Sequence, residues 1–173
     1  IGRFLAGRAD VDIDLRELGS QDVLLAMRQE QADIGIVADY VGTEGLHTRL
    51  FAEDDLVAVF PLAAFRPAGA GVAFVDLLEH PFVGLPAESG LSRFLQGRAM
   101  QYGRGLHYRV RVRSFDAVIS LVADGVGIAI VPAAAARRLA HAGIGVSRIA
   151  DAWAARRLLL CTAGDARPEG RAA

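Results

Sequence analysis

Residues 108–132, YRVRVRSFDAVISLVADGVGIAIVP, constrain the fold more than any other stretch of the chain. Tyr108, Val110 and Val112 alternate with Arg109, Arg111 and Arg113, the pattern of a half-buried strand. Ser114 stands where a helix N-cap belongs. Asp116 falls in the first turn, where the helix dipole favours a carboxylate. Phe115, Val118, Ile119 and Val122 recur at helical spacing and predict a buried stripe. Asp124-Gly125 ends that helix, with Gly125 as the left-handed residue just past it. Gly127 keeps the next turn tight. Residues 128–131 are all apolar, as suits a strand buried on both faces, and Pro132 suits the first turn of a further helix.

A core of this kind needs apolar material, and the chain has it: 173 residues, 53% hydrophobic and 23% charged, enough for one domain or two small ones. The net charge is −1 and no basic block appears, so the chain does not read as a nucleic-acid binder by itself. All 19 basic residues are Arg, which reads as a GC-rich coding bias rather than as function. The single cysteine, Cys161, excludes an internal disulfide and fits a reducing compartment; in its apolar run it reads as a small buried hydrophobe. No stretch approaches the ~20 apolar residues of a membrane span, and no signal peptide is visible. The chain opens on what reads as the last turns of a helix, over residues 1–9, so it is expected to be a fragment.

Residues 10–18 alternate Val11, Ile13 and Leu15 with Asp10, Asp12, Asp14 and Arg16, predicting a strand with one wet face. Gly19-Ser20 predicts a turn, with Ser20 capping a helix over 21–31 whose Val23, Leu24 and Met27 face inward. A strand over 32–37, a loop over 40–46, a strand within 50–61 and a connector over 61–71 follow. Residues 74–85 read as a short helix and a strand, and 86–90 as a polar turn into a helix over 91–100 that closes by 105. After Pro132 a helix runs to about residue 142, with Arg137, Arg138 and His141 near its end; short strands over 146–149 and 156–162 and a frayed tail over 165–173 complete the chain. Helices alternating with strands predict α/β layers with mainly parallel sheets.

Several of these segments resemble the effector-binding domain of bacterial LysR-type transcriptional regulators. Val122-Ala123-Asp124-Gly125-Val126-Gly127-Ile128-Ala129-Ile130-Val131-Pro132 is similar to the family's V-x-x-G-x-G-I-x-x-x-P run, and Ala32-Asp33-Ile34-Gly35-Ile36 to its A/L-D-I/L-G/A-I segment. Residues 50–61 and 74–85 resemble its L-x-E-x-L-v-x-v-x-P and dL-x-x-x-P-f-i segments. The resemblance covers residues 4–162 in consistent order. It implies an α/β fold of two Rossmann-like subdomains with a cleft between them, like a type 2 periplasmic binding protein. Subdomain I would be residues 1–60 plus 130–173, lacking its first strand, and subdomain II residues 61–129. The chain would cross between them near Phe60-Pro61 and residues 128–131. The resemblance further implies an effector-sensing, dimerising domain of a cytoplasmic regulator, with a small-molecule effector and no cofactor. It would be a homodimer, or a tetramer in the full-length protein, meeting DNA only through a helix-turn-helix domain that this chain lacks, and no membrane. The alternative on the same fold is the solute receptor of a transporter.

The residues offer binding chemistry rather than catalysis. His47, His80, His107 and His141 are scattered, without metal-ligand spacing. Glu53-Asp54-Asp55 reads as a solvated strand entrance. Glu88-Ser89-Gly90-Leu91-Ser92 lacks the nucleophile elbow, and Ser89 reads as a helix cap. Gly125-Val126-Gly127 follows a helix, whereas a dinucleotide fingerprint follows a strand. No catalytic constellation emerges, so the chain is not read as an enzyme. Ligands of open α/β sheets sit where strand ends lead into helix N-termini, here Gly19-Ser20, residues 85–90 and Ser114-Phe115. The resemblance adds Pro61, Leu62, Gly127 and Ile128 as cleft lining. The implied effector site is thus Gly19, Ser20, Pro61, Leu62, Leu85, Pro86, Glu88, Ser89, Gly127 and Ile128. Ser20 and Ser89 would donate hydrogen bonds, and Leu85, Pro86 and Ile128 would form an apolar wall. Plain capping by the two serines and plain packing by Gly127 stay open. Glu88 counts against a strongly anionic effector unless Arg93 or Arg66 offsets it. An acidic row with Asp12 and Asp14 and a basic row with Arg109 and Arg111 are expected to meet across a dimer, with two independently solvated faces as the open alternative.

Overall fold

The computed structural model of the protein describes residues 1–63, 71–139 and 142–164. In chain order it forms α1 (Gly2–Leu5), α2 (Ser20–Arg28), β1 (Ile34–Ala38), β2 (Leu46–Glu53), β3 (Leu56–Pro61), α3 (Phe74–Leu77), β4 (Phe82–Gly84) and α4 (Gly90–Gln101). There follow β5 (Tyr108–Arg111), α5 (Phe115–Ala123), β6 (Ala129–Pro132), α6 (Ala133–Arg138), β7 (Ile144–Arg148), a 3-10 turn (Ala152–Ala154) and β8 (Arg157–Ala163).

Residues 108–132 form β5, α5 and β6. Ser114 caps α5, its Oγ accepting the Ala117 N–H at 3.3 Å. Gly125 is left-handed, with φ of +78°, and ends the helix. Gly127 is needed for contact rather than for φ: a Cβ there would lie 2.4 Å from the Pro81 carbonyl oxygen. That close approach lets the Ile128 N–H reach the Pro81 carbonyl at 2.8 Å and seats β6 beside β4 through a parallel bridge, Phe82 to Ile128.

The strands form two sheets. In the first, β8 lies between β1 and β2, antiparallel to both. Helix α2 covers one face, packing Leu24 on Val37, Val41 and Cys161; on the other face Ile34 and Ile36 stay exposed. The second sheet has β3 between β6 and β7, antiparallel to both, while the bridge joins β6 to the parallel pair β4–β5. All six residues of β3 are buried because both faces are covered. Leu56, Ala58 and Phe60 face a core with Phe74, Leu77, Leu95 and Ala99 from α3 and α4. Val57 and Val59 face one with Val118, Ile119 and Val122 from α5 and Ala136 from α6.

Several expectations need correcting. Most pairings are antiparallel, because β3 enters its sheet from the end where β4 and β6 finish. Residues 10–18 form no strand: they are largely exposed and no described strand pairs with them, so their alternation has no sheet to face. The expected borders at 60/61 and 129/130 cut through one sheet, since β3, β6 and β7 all belong with β4 and β5. The division between sheets falls instead between β2 and β3 and between β7 and β8. The strand expected only from residue 50 begins at Leu46, pairing with β8. Helix α2 starts one residue earlier than expected: Gly19 is the N-cap and Ser20, the expected cap, is the first helical residue. Arg66, His141 and the tail over 165–173 lie outside the described residues.

Candidate functional site

Strand direction decides which loops share an end of the second sheet. Leu56, the first residue of β3, lies opposite Pro132, the last of β6. Strands β4 and β5 run parallel with β6, so their C-terminal ends and the loops over 85–89 and 112–114 open on that same side. The two chain crossings between sheets, at 54–55 and just before β8, are there too. Pro61 is five residue steps along β3, about 16 Å away at the usual strand rise.

Four of the ten expected effector residues therefore sit at the wrong end. Pro61 is buried and pairs with Ile144, and the Leu62 N–H bonds the Gly143 carbonyl. Gly127 packs on Pro81, and Ile128 is a core residue, 3% exposed. All four hold the fold and none lines the space between the sheets.

The other six come together. The N-terminus of α2 meets that of α4 backbone to backbone: a Cβ on Gly90 would lie 3.3 Å from the Gly19 Cα. A side chain at Gly90 would crowd this contact by a few tenths of an ångström. Each helix end is tied to its own strand or turn. Ser20 Oγ accepts the N–H of Ala38, the last residue of β1, at 3.1 Å. Ser89 Oγ accepts the Ser92 N–H at 3.1 Å and caps α4. Leu85 and Pro86 are half-buried beneath α4, where the Leu85 carbonyl accepts from Ser92 Oγ at 3.0 Å and Arg111 Nη1 at 2.9 Å. Glu88 is exposed at the rim. Two helix N-termini thus converge from different sheets, an arrangement suited to an anionic group.

Sequence reasoning missed part of the contact. Tyr40, from the loop after β1, stacks on Phe94 of α4 with ring centroids 4.5 Å apart. Asp22, in the first turn of α2, faces Arg93 at 3.5 Å. Both of its side chains are about half exposed, so this pair is worth only about 0.2–1 kcal/mol. Nothing local in the sequence signals contacts spanning more than fifty residues.

Beside this contact the two crossings are stapled together. Arg156, 8% exposed, forms an ion pair with Asp54, and its Nε donates to the Asp54 carbonyl at 3.3 Å. The Asp54 N–H returns a bond to the Arg156 carbonyl at 2.9 Å. Burial raises the Asp54 carboxyl above its ordinary pKa, the Arg156 guanidinium opposing that in part. Asp54 is thus no member of a solvated strand entrance.

The dimer rows are engaged locally. Arg109 Nη1 donates to the Val126 carbonyl at 3.3 Å. Arg111 lies over the Tyr108 ring, 3.8 Å from its centroid, besides its bond to Leu85. Asp14 pairs with Arg16 at 2.7 Å, and neither Asp12 nor Asp14 lies on a strand. No helix among the described residues is long and apolar enough to cross a membrane.

This architecture is shared with known proteins. The HTH-type transcriptional regulator DgcR of Pseudoalteromonas sp is 26% identical over 131 residues, covering 76% of this chain and 45% of that protein. The chain thus spans about half the length of the curated relatives it matches. Among solved structures, the Synechocystis PCC6803 CcmR regulatory domain in complex with 2-PG superposes with a TM-score of 0.78 at 16% identity, over 96% of this chain and 80% of that one. The BenM effector binding domain with its effector benzoate gives 0.71 at 18% identity, over 95% and 76%. These likenesses show the fold, that of LysR effector-binding domains and of type 2 periplasmic binding proteins. The model of the LysR substrate binding domain matches residues 1–172, and the chain belongs to that family.

Proposed function

We propose that the chain senses a small acidic effector held between two subdomains, and that it does so within a DNA-binding transcriptional regulator. Subdomain I would comprise residues 1–53 and 157–164, and subdomain II residues 56–149. The observation that carries the reading is the convergence of the α2 and α4 N-termini from different sheets, with Ser20 and Ser89 at their ends. Each serine oxygen already accepts one backbone N–H, which leaves its O–H free in direction to donate to a ligand. Leu85 and Pro86 supply apolar wall, and Gly19 and Gly90 let the two helix ends approach each other. The relatives' names, the 2-PG bound to the CcmR regulatory domain and the benzoate effector of BenM support the reading.

The mechanism is one of binding, without a catalytic step. A ligand shifts the relative placement of the subdomains only by binding one placement better than another. Contact with DNA is assigned to parts of a full-length regulator beyond this chain, acting in the cytoplasm as a dimer or higher oligomer. Glu88 at the rim disfavours ligands of high negative charge, and Arg93 offsets it. A thermal-shift screen with benzoate and 2-PG tests the site. At least one is expected to raise the Tm, and Ser20→Ala and Ser89→Ala each to weaken binding by roughly tenfold, the worth of a hydrogen bond to a charged group. Ser89→Ala also removes a cap, so the ligand-induced shift is compared, not the basal Tm. An undiminished shift in the double variant would place the effector elsewhere.

A further inference from the structure

Arg93 has two faces. One meets Asp22 across the subdomains, at 3.5 Å. The other looks onto an open groove of about 360 Å³, lined by Ala87, Gln96, Gly97 and Met100 together with Arg93 and Arg111. That volume is in the range of small-ligand sites. The groove flanks the C-terminal ends of the parallel strands β4 and β5, the side on which open sheets take ligands. No carboxylate is among its lining residues, so its two arginines have no counter-charge inside it. Arg111 is fixed in place by the Leu85 carbonyl and the Tyr108 ring. Gly97 leaves the floor open: a Cβ there would meet nothing within 4 Å. The only carboxylate bonded to Arg93 among the described residues is Asp22, through a long and half-exposed ion pair. Guanidinium forks bind carboxylates and phosphates through paired hydrogen bonds, which a 3.5 Å contact does not exploit.

We propose that this groove is a binding site for a small carboxylate or phosphate, and that its occupant takes Arg93 from Asp22 and so releases the contact between the subdomains. The proposal rests on the two-subdomain reading above, but not on the serine-lined cleft being the effector site. The coupling has a built-in reporter. Phe94, next to Arg93, stacks on Tyr40 of the other subdomain, and its ring centroid lies 5.6 Å from that of Trp153. Trp153 is the chain's single tryptophan, so its emission reports parting of Tyr40 from Phe94.

The test titrates the 173-residue chain with inorganic phosphate and, separately, with benzoate, by calorimetry and by Trp153 fluorescence. Saturable binding of at least one anion is expected, weakened about tenfold or more by Arg93→Gln and by Arg111→Gln, as for loss of a charge-assisted hydrogen bond. Asp22→Asn removes the competitor, so it should bind the anion more tightly and show, without any anion, the Trp153 emission that saturation produces in the parent chain. Which anion binds tells carboxylate from phosphate. The site is refuted if neither anion saturates, if Arg93→Gln leaves binding intact, or if Arg111→Gln alters only self-association, which would make the groove a protein interface. Binding without a Trp153 response overturns the release. Binding lost in Ser20→Ala and Ser89→Ala but kept in Arg93→Gln sinks the groove while leaving the cleft reading intact; the reverse supports the groove and sinks the cleft.

Discussion

Arg156→Met is expected to lower the unfolding free energy by about 3–5 kcal/mol, the usual cost of removing one partner from a buried ion pair. That is a large part of the 5–15 kcal/mol typical of a folded domain. The reason is the charge left behind. Asp54, with 14% of its side chain exposed, would keep its burial and lose both the ion pair and the Nε donor that holds its carbonyl. Because residues 54 and 156 lie on the two crossings, the loss should also loosen how the sheets are held together. Replacing both residues, Asp54→Asn with Arg156→Met, should recover much of the loss, since no uncompensated charge then remains. Urea titrations of the two variants measure this. The pH dependence has a definite sign. The Asp54 pKa is raised in the folded protein, so between its ordinary value of 3.8 and its folded value the native state binds the extra proton. Its contribution to stability therefore falls as pH rises through that window and is level above it, and Asp54→Asn removes that fall.

Gly127→Ala is expected to destabilise by about 3 kcal/mol or more, the upper end of overpacking costs. The added carbon would lie 2.4 Å from the Pro81 carbonyl oxygen and 3.0 Å from its carbon, both backbone atoms that no rotamer change can move. Relief requires β6 to part from β4, which breaks the Ile128 to Pro81 and Val83 to Ile128 hydrogen bonds and opens both cores at once. Amide exchange should therefore show early loss of protection at Val83 and Ile128. Gly97→Ala is the control: its new carbon meets nothing within 4 Å, and in mid-helix it should stabilise by roughly 0.5–1 kcal/mol.

Local signals in the sequence are legible where one segment decides the outcome. Ser114, Gly125 and the stripe Val118, Ile119 and Val122 are properties of one helix and its ends, and they stand where the pattern puts them. The apolar run of β6 is buried as its composition requires. Strand direction was not legible, because alternation reports which face is wet and says nothing about which way a neighbour runs. Misjudging β3 in this way moved the crossings to its far end, and with them Pro61, Leu62, Gly127 and Ile128. Residues 10–18 carry a strand's alternation without a ladder to join. Ser20 was misjudged by one position: glycine and serine both cap helices, and only the bond to Ala38 shows that its hydroxyl is engaged elsewhere. Tyr40 against Phe94 and Asp54 against Arg156 are long-range pairs, fixed only once both sheets exist.

The most direct measurement of the central claim is a titration of amide chemical shifts in the chain with benzoate and with 2-PG. If a small acid is held between the subdomains, the amides of residues 19–22 and 89–92 move together along one saturation curve. Shifts at only one of these helix ends, shifts confined to residues 61–62 and 127–128, or no saturable shifts would contradict it.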